Sequence, residues 1–285
     1  MTAARRRTRP PRVAIQGERG AFSELAVRSL FGRRAGILPC ADFDALFRAA
    51  ASSRADYALA PVENTIAGSI HRVHDLLLDT RLHLVGEAIV RVSHALVALP
   101  GVAFADLRRV YSHPVALAQC EAFFRRHPRL ERVATYDTAG SVRLLRQEKA
   151  RDAAAIAPEI AARLYRARIL RRGLEDHPAN FTRFFLLARR PGPIGRANKT
   201  TVLFSAPHVP GALFRCMAVF ALRDINLLKI ESRPLRGRPW EYVFHVDFEG
   251  SAAEDRCRRA LAHLGEVCDF VRVLGSYPRA RMPRP

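Results

Sequence analysis

The sequence predicts an α/β protein whose C-terminal part switches to a βαββαβ unit. Three observations carry this. Short apolar runs with strand character alternate with segments of helical spacing from Arg12 to about Leu187. The stretch Arg190-Pro191-Gly192-Pro193-Ile194-Gly195-Arg196 then breaks any regular element. After it the order of elements becomes strand, helix, strand, strand, helix, strand, the ferredoxin-like motif.

Each element has a local reason. Arg12 to Gln16 alternates as a strand, Gly17-Glu18-Arg19-Gly20 turns, and Ala21 to Leu30 reads as a helix. Asp42 can cap a helix through Ala51, and Tyr57 to Ala60 is a short apolar strand. Ile70, Val73, Leu76 and Leu77 recur at helical spacing. Leu82 to Leu99 is long, apolar and interrupted by Gly86; it is expected to form extended strands that cross between two lobes, with a second crossing near 180–189. Val110-Tyr111 is a strand, and Pro114 suits the first turn of the helix that follows. Val133 to Tyr136, a helix from Thr138, Ala153 to Ile156 and a helix from Pro158 continue the alternation. Beyond the break, Thr200–Ser205, Leu227–Arg233, Tyr242–Phe248 and Val267–Leu274 are strands, with helices at Gly211–Leu222 and Ala252–Leu264. The expected division is a basic tail at 1–11, a two-lobed unit at 12–190, a linker at 191–198, a second unit at 199–278 and a tail at 279–285.

The bulk properties narrow the function classes. No apolar run approaches the length of a membrane span. The five cysteines are widely spaced, odd in number and without a CxxC pair, which fits a reducing cytoplasm and gives metal binding little support. The start of the chain lacks the apolar stretch of a secretory signal and is short for a transit peptide, so the expected location is cytoplasmic. The net charge is +20, and 44 of the 47 basic residues are arginine. No basic stripe with interleaved aromatics accompanies that charge, so nucleic-acid binding is not expected. The excess is read as compositional bias and solvated tails, with a mild capacity to steer an anionic substrate.

Several segments sit where α/β proteins build sites, at strand ends that lead into helices. Pro61-Val62-Glu63-Asn64-Thr65 is followed by Gly68-Ser69; Ser69 could cap a helix or meet an anion, and Glu63 could fix a ligand or be a structural acid. Ser112-His113-Pro114 has Gln119 and Cys120 downstream; adjacent Ser and His are poorly placed as a nucleophile–base pair, and no G-x-S-x-G surrounds them. Thr138 could cap its helix, the favoured reading, or face a cleft. Gly20, Ala21 and Phe22 open the first helix and could cradle an anion. The string Asn180-Phe181-Thr182-Arg183-Phe184 precedes the Pro-Gly break. His208-Val209-Pro210-Gly211-Ala212-Leu213 and Glu231-Ser232-Arg233-Pro234 punctuate the C-terminal unit.

In this order, these motifs resemble the prephenate dehydratase family and its relatives the arogenate dehydratases, from about Val13 to Pro278. The resemblance implies a catalytic unit with two lobes like a type II periplasmic binding protein, joined to a ferredoxin-like ACT domain. It implies a hydro-lyase that removes carbon dioxide and a ring hydroxyl together, prephenate yielding phenylpyruvate, in phenylalanine biosynthesis. Arogenate is the alternative substrate, and a non-catalytic amino-acid-binding regulator is a more distant one. No cofactor or metal is implied. Thr182 is the implied catalytic group, assisting departure of water from a positively lined crevice. Asn180, Asn64, Ser69, Ser112, His113, Gln119 and Phe184 accompany it, and Arg183 is either a carboxylate fork or a brace for its loop. Pro210, Gly211, Ala212 and Leu213, with Glu231, Ser232, Arg233 and Pro234, are the implied site for phenylalanine as feedback ligand, in a homodimer or homotetramer.

Overall fold

The computed structural model describes residues 9–235 and 237–283. Residues 1–8 of the expected basic tail at 1–11, and residues 284–285 of the expected tail at 279–285, lie outside these. Three sheets organise the described residues. The first has the order β2-β1-β3-β11-β5, built from β1 (Arg12–Gln16), β2 (Gly36–Cys40), β3 (Tyr57–Asn64), β5 (His83–Arg91) and β11 (Phe181–Ala188). The short strand β4 (Gly68–Ser69) pairs back on β3. The second sheet is β10-β6-β9-β7-β8, from β6 (Ala95–Ala98), β7 (Arg109–Ser112), β8 (Glu131–Ala134), β9 (Ala153–Ala157) and β10 (Arg168–Arg171). The third is β13-β14-β12-β15, from β12 (Lys199–Ser205), β13 (Leu227–Pro234), β14 (Tyr242–Glu249) and β15 (Phe270–Tyr277). With helices α8 (Ala212–Ala221) and α9 (Asp255–Val267), that last order is the ferredoxin-like βαββαβ arrangement.

The helices of the first two sheets are α1 (Phe22–Phe31), α2 (Phe43–Ala51), α3 (His71–Asp79), α4 (Pro114–Ala118), α5 (Glu121–Arg126), α6 (Thr138–Glu148) and α7 (Glu159–Leu164). Their starts follow from local chemistry. Asp42 accepts the amide of Ala45 to cap α2, and Asp137 accepts the amide of Gly140 to cap α6. β9 is all small and apolar, Ala153-Ala154-Ala155-Ile156-Ala157, and every residue is buried, as a central strand covered on both faces requires.

The crossings between the lobes are shorter than the sequence suggests. β5 and β11 both lie wholly in the first sheet, and the chain passes over at 92–94 and returns at 172–180. The two passages are bonded to each other. Val92 N–H donates to Asn180 O (2.7 Å), Leu174 N–H to His94 O (3.0 Å) and His94 N–H to the Glu175 carboxylate (2.8 Å). Length and apolarity do not separate a strand that crosses from one that stays, because both are buried. The expected linker is also not loose: Ile194 N–H donates to Val85 O (3.0 Å), and its side chain occupies the space left open by Gly86.

The C-terminal sheet uses both faces. Val202, Phe204, Val246 and Phe248 pack under α8 and α9. Leu203, Val243, Leu274 and Tyr277 share a core with Phe185, Leu187 and residues of α2 and α3. Gly275 makes this approach possible, since a Cβ there would stand 1.9 Å from the Leu84 carbonyl oxygen.

Candidate active site

A cleft of about 510 Å³ opens between the first two sheets. Its wall includes Phe22, Asn64, Ser69, His113, Gln119, Thr138 and Thr182, all singled out by the sequence, and also Gln16, Ile70, Val92 and His94, which were not.

Thr182 is half-buried on β11, with its side chain on the cleft wall. Its hydroxyl orientation follows from Asn64. The Asn64 side-chain oxygen accepts the amides of Ile66 (3.0 Å) and Ala67 (2.8 Å), so its nitrogen must be the donor elsewhere. That nitrogen reaches Thr182 Oγ1 (3.0 Å), Asn180 Oδ1 (2.8 Å) and Phe181 O (3.1 Å). The Thr182 oxygen therefore accepts, and its own proton is free to be donated into the cleft. Asn180 stands behind this wall, buried, and passes its amide on to Gln119 Oε1 (3.0 Å). Gln119 belongs to the second lobe, so this network ties the lobes together at the threonine.

Arg183 and Glu63 go elsewhere. Successive residues of a strand face opposite sides, so Arg183 turns its back on the cleft that Thr182 lines. Its guanidinium meets Asp247 Oδ2 at 2.5 Å, Glu87 Oε2 at 3.8 Å and Glu63 Oε2 at 3.5 Å, and lies over the Phe185 ring. Lys199 joins the same buried group, 2.9 Å from Glu87 and 3.3 Å from Asp247. Burial works against the Asp247 charge, yet Arg183 and Lys199 hold its carboxyl below its usual range. Burial likewise opposes the Arg183 charge, and Asp247 more than offsets it. Glu63 faces Lys229 at 3.1 Å.

Other expectations are corrected in the same way. Ser112 is fully buried and its hydroxyl donates to Ile156 O (2.6 Å), because the strand alternation turns it into the sheet. Phe184 is core, packed beside Ala26 and Val27 of α1. The Gly20 amide is taken by Glu24 (2.8 Å), and Ala21 is buried among the second lobe's core residues, so only Phe22 of that loop reaches the cleft. Thr138 does not cap α6; Asp137 does, which leaves Thr138 to the cleft. His113, not expected as a cap, accepts the Val115 amide at the start of α4. Ser69 does not cap α3; it donates to Glu231 (2.6 Å) and accepts from Lys229 (3.2 Å). The crevice is not positively lined either, since no Lys, Arg, Asp or Glu is among the described residues of its wall.

In the C-terminal unit, Gly211 has φ +75° at the start of α8, a conformation that suits glycine. Ala212 and Leu213 edge a hollow of about 170 Å³ with Trp240 and Tyr242. None of Glu231 to Pro234 lines that hollow. Glu231 and Arg233 point at α3, where Arg233 meets Asp75 (3.2 Å) and Glu231 lies 3.8 Å from His71, while Ser232 and Pro234 are exposed on the other side of the edge strand.

Residues 13–192 match the family model described as prephenate dehydratase. The chain belongs to the prephenate dehydratase family. It is 48% identical over 278 residues to arogenate dehydratase/prephenate dehydratase 2, chloroplastic, of Arabidopsis thaliana, covering 94% of this chain and 72% of the relative. Arogenate dehydratase 2 of Petunia hybrida is 46% identical, with 94% and 71% covered. The Arthrobacter aurescens prephenate dehydratase solved with L-Phe superimposes with a TM-score of 0.86 at 33% identity, covering 94% of this chain and 90% of that one. A structure described as a quorum-quenching acylase, GqqA, also has a TM-score of 0.86, at 36% identity and 94% and 97% coverage.

As a member of this family the protein is a dehydratase, a carbon–oxygen lyase of phenylalanine biosynthesis. The expected α/β class agrees with these neighbours. The expected cytoplasmic location is overturned, because several Arabidopsis relatives are named as chloroplastic proteins. Cysteine usage marks a reducing environment without saying which one. Toward acyl transfer, neither Ser112 nor Cys120 is presented: both are fully buried, and burial pushes the Cys120 thiol up.

Proposed function

We propose that the protein is a prephenate dehydratase that uses the Thr182 hydroxyl to assist departure of the ring hydroxyl. The observation that carries this reading is the direction of the Thr182–Asn64 hydrogen bond, which leaves the threonine proton facing the cleft. In the reaction, the C–C bond to the ring carboxylate breaks and releases carbon dioxide. Its electron pair enters the ring, and the C–O bond opposite breaks as the leaving oxygen gains a proton and departs as water. Aromatisation drives the step, so the protein's task is positioning and proton supply. The substrate's carboxylates would meet neutral donors from Gln16, Gln119 and Thr138 rather than a guanidinium.

The keto substrate is supported by the absence of an acidic residue among the described wall residues, since an amino group would call for one. Arogenate is the second reading, favoured by the names of the plant relatives. Purified protein offered each substrate separately distinguishes them. A higher kcat/KM on prephenate is expected, a higher value on arogenate transfers the assignment, and no turnover on either removes it.

Residues 12–190 would form the catalytic domain and 199–278 an ACT domain that senses phenylalanine, a reading supported by the L-Phe complex of the Arthrobacter relative. The Pro210–Leu213 and Glu231–Pro234 segments would then meet across a homodimer. Exposed Phe214 (75%), Trp240 (78%) and Ile230 (48%) supply an apolar surface for it. Saturating phenylalanine should shift turnover and the thermal midpoint; a ligand that moves neither is not sensed.

A further inference from the structure

We infer that His94 is a positioning residue for Thr182, acting through Gln119. This rests on the reading of the cleft as the dehydratase site, and neither the sequence motifs nor the comparisons single His94 out. His94 sits in the short passage between lobes, only 2% exposed, with its ring edge-on to Phe22 at 5.5 Å between centroids. Its backbone is held on both sides, the N–H by Glu175 and the carbonyl by Leu174. Such a side chain has little freedom to reorient.

The polarity of the network can be followed without ambiguity from one end to the other. The amides of Ile66 and Ala67 make Asn64 Oδ1 an acceptor, so Asn64 Nδ2 donates to Asn180 Oδ1 as well as to Thr182. Asn180 Nδ2 then donates to Gln119 Oε1. Gln119 Oε1 is thus an acceptor, and its nitrogen lies 3.4 Å from Asn64 Oδ1, closing a ring of amides. His94 Nε2 stands 3.0 Å from Gln119 Oε1 and must be the donor. The imidazole is therefore the Nε2–H tautomer, with Nδ1 carrying the lone pair and having no partner among the described residues. Burial pushes His94 toward its neutral form, in line with that assignment.

The consequence is mechanical. If His94 did not donate, the Gln119 amide could turn over and offer its nitrogen to Asn180. Asn180 would turn in response, and Asn64 would lose the acceptor that sets its second N–H. Asn64 Nδ2, still turned toward Thr182 by the Ile66 and Ala67 amides, would meet an N–H of Asn180, and that repulsion would displace it from Thr182 Oγ1 and loosen its hold on the hydroxyl. Because Gln119 comes from the second lobe, the ring is complete only when the lobes are together.

Isosteric substitutions test this. His94→Gln keeps an N–H near the Nε2 position, whereas His94→Asn places its amide near Nδ1 and loses that donor. The Asn and Leu variants are expected to lose about tenfold in kcat with KM changed less than about twofold, and Gln to recover most of the loss. Thermal midpoints of the Gln and Asn variants should agree, separating orientation from folding. Independently of turnover, ¹⁵N spectra of the wild-type protein should show His94 protonated at Nε2 and bare at Nδ1. An Nδ1–H tautomer, equal losses for Gln and Asn, or full activity of His94→Leu overturns the inference. No turnover by the wild-type chain on either substrate overturns the functional reading itself, a result distinct from any difference among the His94 variants.

Discussion

Replacing Arg183 by methionine separates a substrate clamp from a structural cation. Arg183 and Lys199 face Asp247 and Glu87 in a group of two positive and two negative charges. The side chains of Lys199, Asp247 and Glu87 are 4%, 4% and 1% exposed, so none can turn to water. Methionine retains the apolar stem over Phe185 but removes one cation. Two buried carboxylates then share Lys199 alone. Breaking a buried pair costs about 3–5 kcal/mol, and because Lys199 remains, about 3 kcal/mol is expected here. Urea unfolding at neutral pH measures it. The sign of the pH dependence follows from Asp247, whose folded pKa is held below its unfolded value. Its contribution is present above about pH 4 and is lost as pH falls through the lowered native pKa, so wild type and variant should converge in acid. A double-mutant cycle with Asp247→Asn should show non-additivity, since the second change removes the charge the first left unpaired. For molecules that remain folded, KM should stay within about threefold of wild type. A rise of about hundredfold in KM with unchanged stability would refute the argument and return Arg183 to the substrate.

Three further outcomes follow from the same geometry. Thr182→Ala should lower kcat at least about tenfold, or ~1.4 kcal/mol of barrier, with the thermal midpoint little changed, since the side chain lines an open cleft; near-normal turnover removes the hydroxyl from the mechanism. Gly275→Ala should cost about 3 kcal/mol by forcing β15 away from the Leu84 carbonyl; an unchanged urea midpoint would mean that the two units do not pack as described. His74 and His245 meet edge-on between α3 and β14, and burial first, then neighbouring charge, lowers them to about 4 and about 3. Stability is complete above their unfolded pKa near 6.5 and falls as pH drops toward 4, by roughly 3 kcal/mol from His74 alone. His245→Phe should flatten that slope, and parallel slopes would exclude these residues.

The fold class was legible because it depends on patterns the chain carries locally: apolar strands, Asp caps, and the Pro-Gly break at 190–196. The residues brought to the cleft were partly legible, since Asn64, Ser69, His113 and Thr138 lie at or just beyond strand ends, whereas Gln119 closes α4 and Thr182 sits at the start of β11. What failed was the treatment of neighbours in a motif as neighbours in a site. Thr182 and Arg183 are adjacent in sequence, and a period of two sends one to the cleft and the other to the C-terminal sheet. That much could have been deduced from the strand pattern, and Ser112 beside His113 obeys the same rule. Which face would be open could not. The face under Arg183 is covered by Asp247, Tyr277 and Leu274, from strands some sixty or more residues away, and no local pattern announces that packing. His94 was missed for a related reason. A histidine in the apolar run Ile89-Val90-Arg91-Val92-Ser93-His94-Ala95 reads as a tolerated core residue until the return passage at 172–180 and Gln119 are brought beside it. Its polarity becomes informative only once the direction of every hydrogen bond from Ile66 onward has been traced, and that direction belongs to the tertiary structure rather than to any segment of the chain.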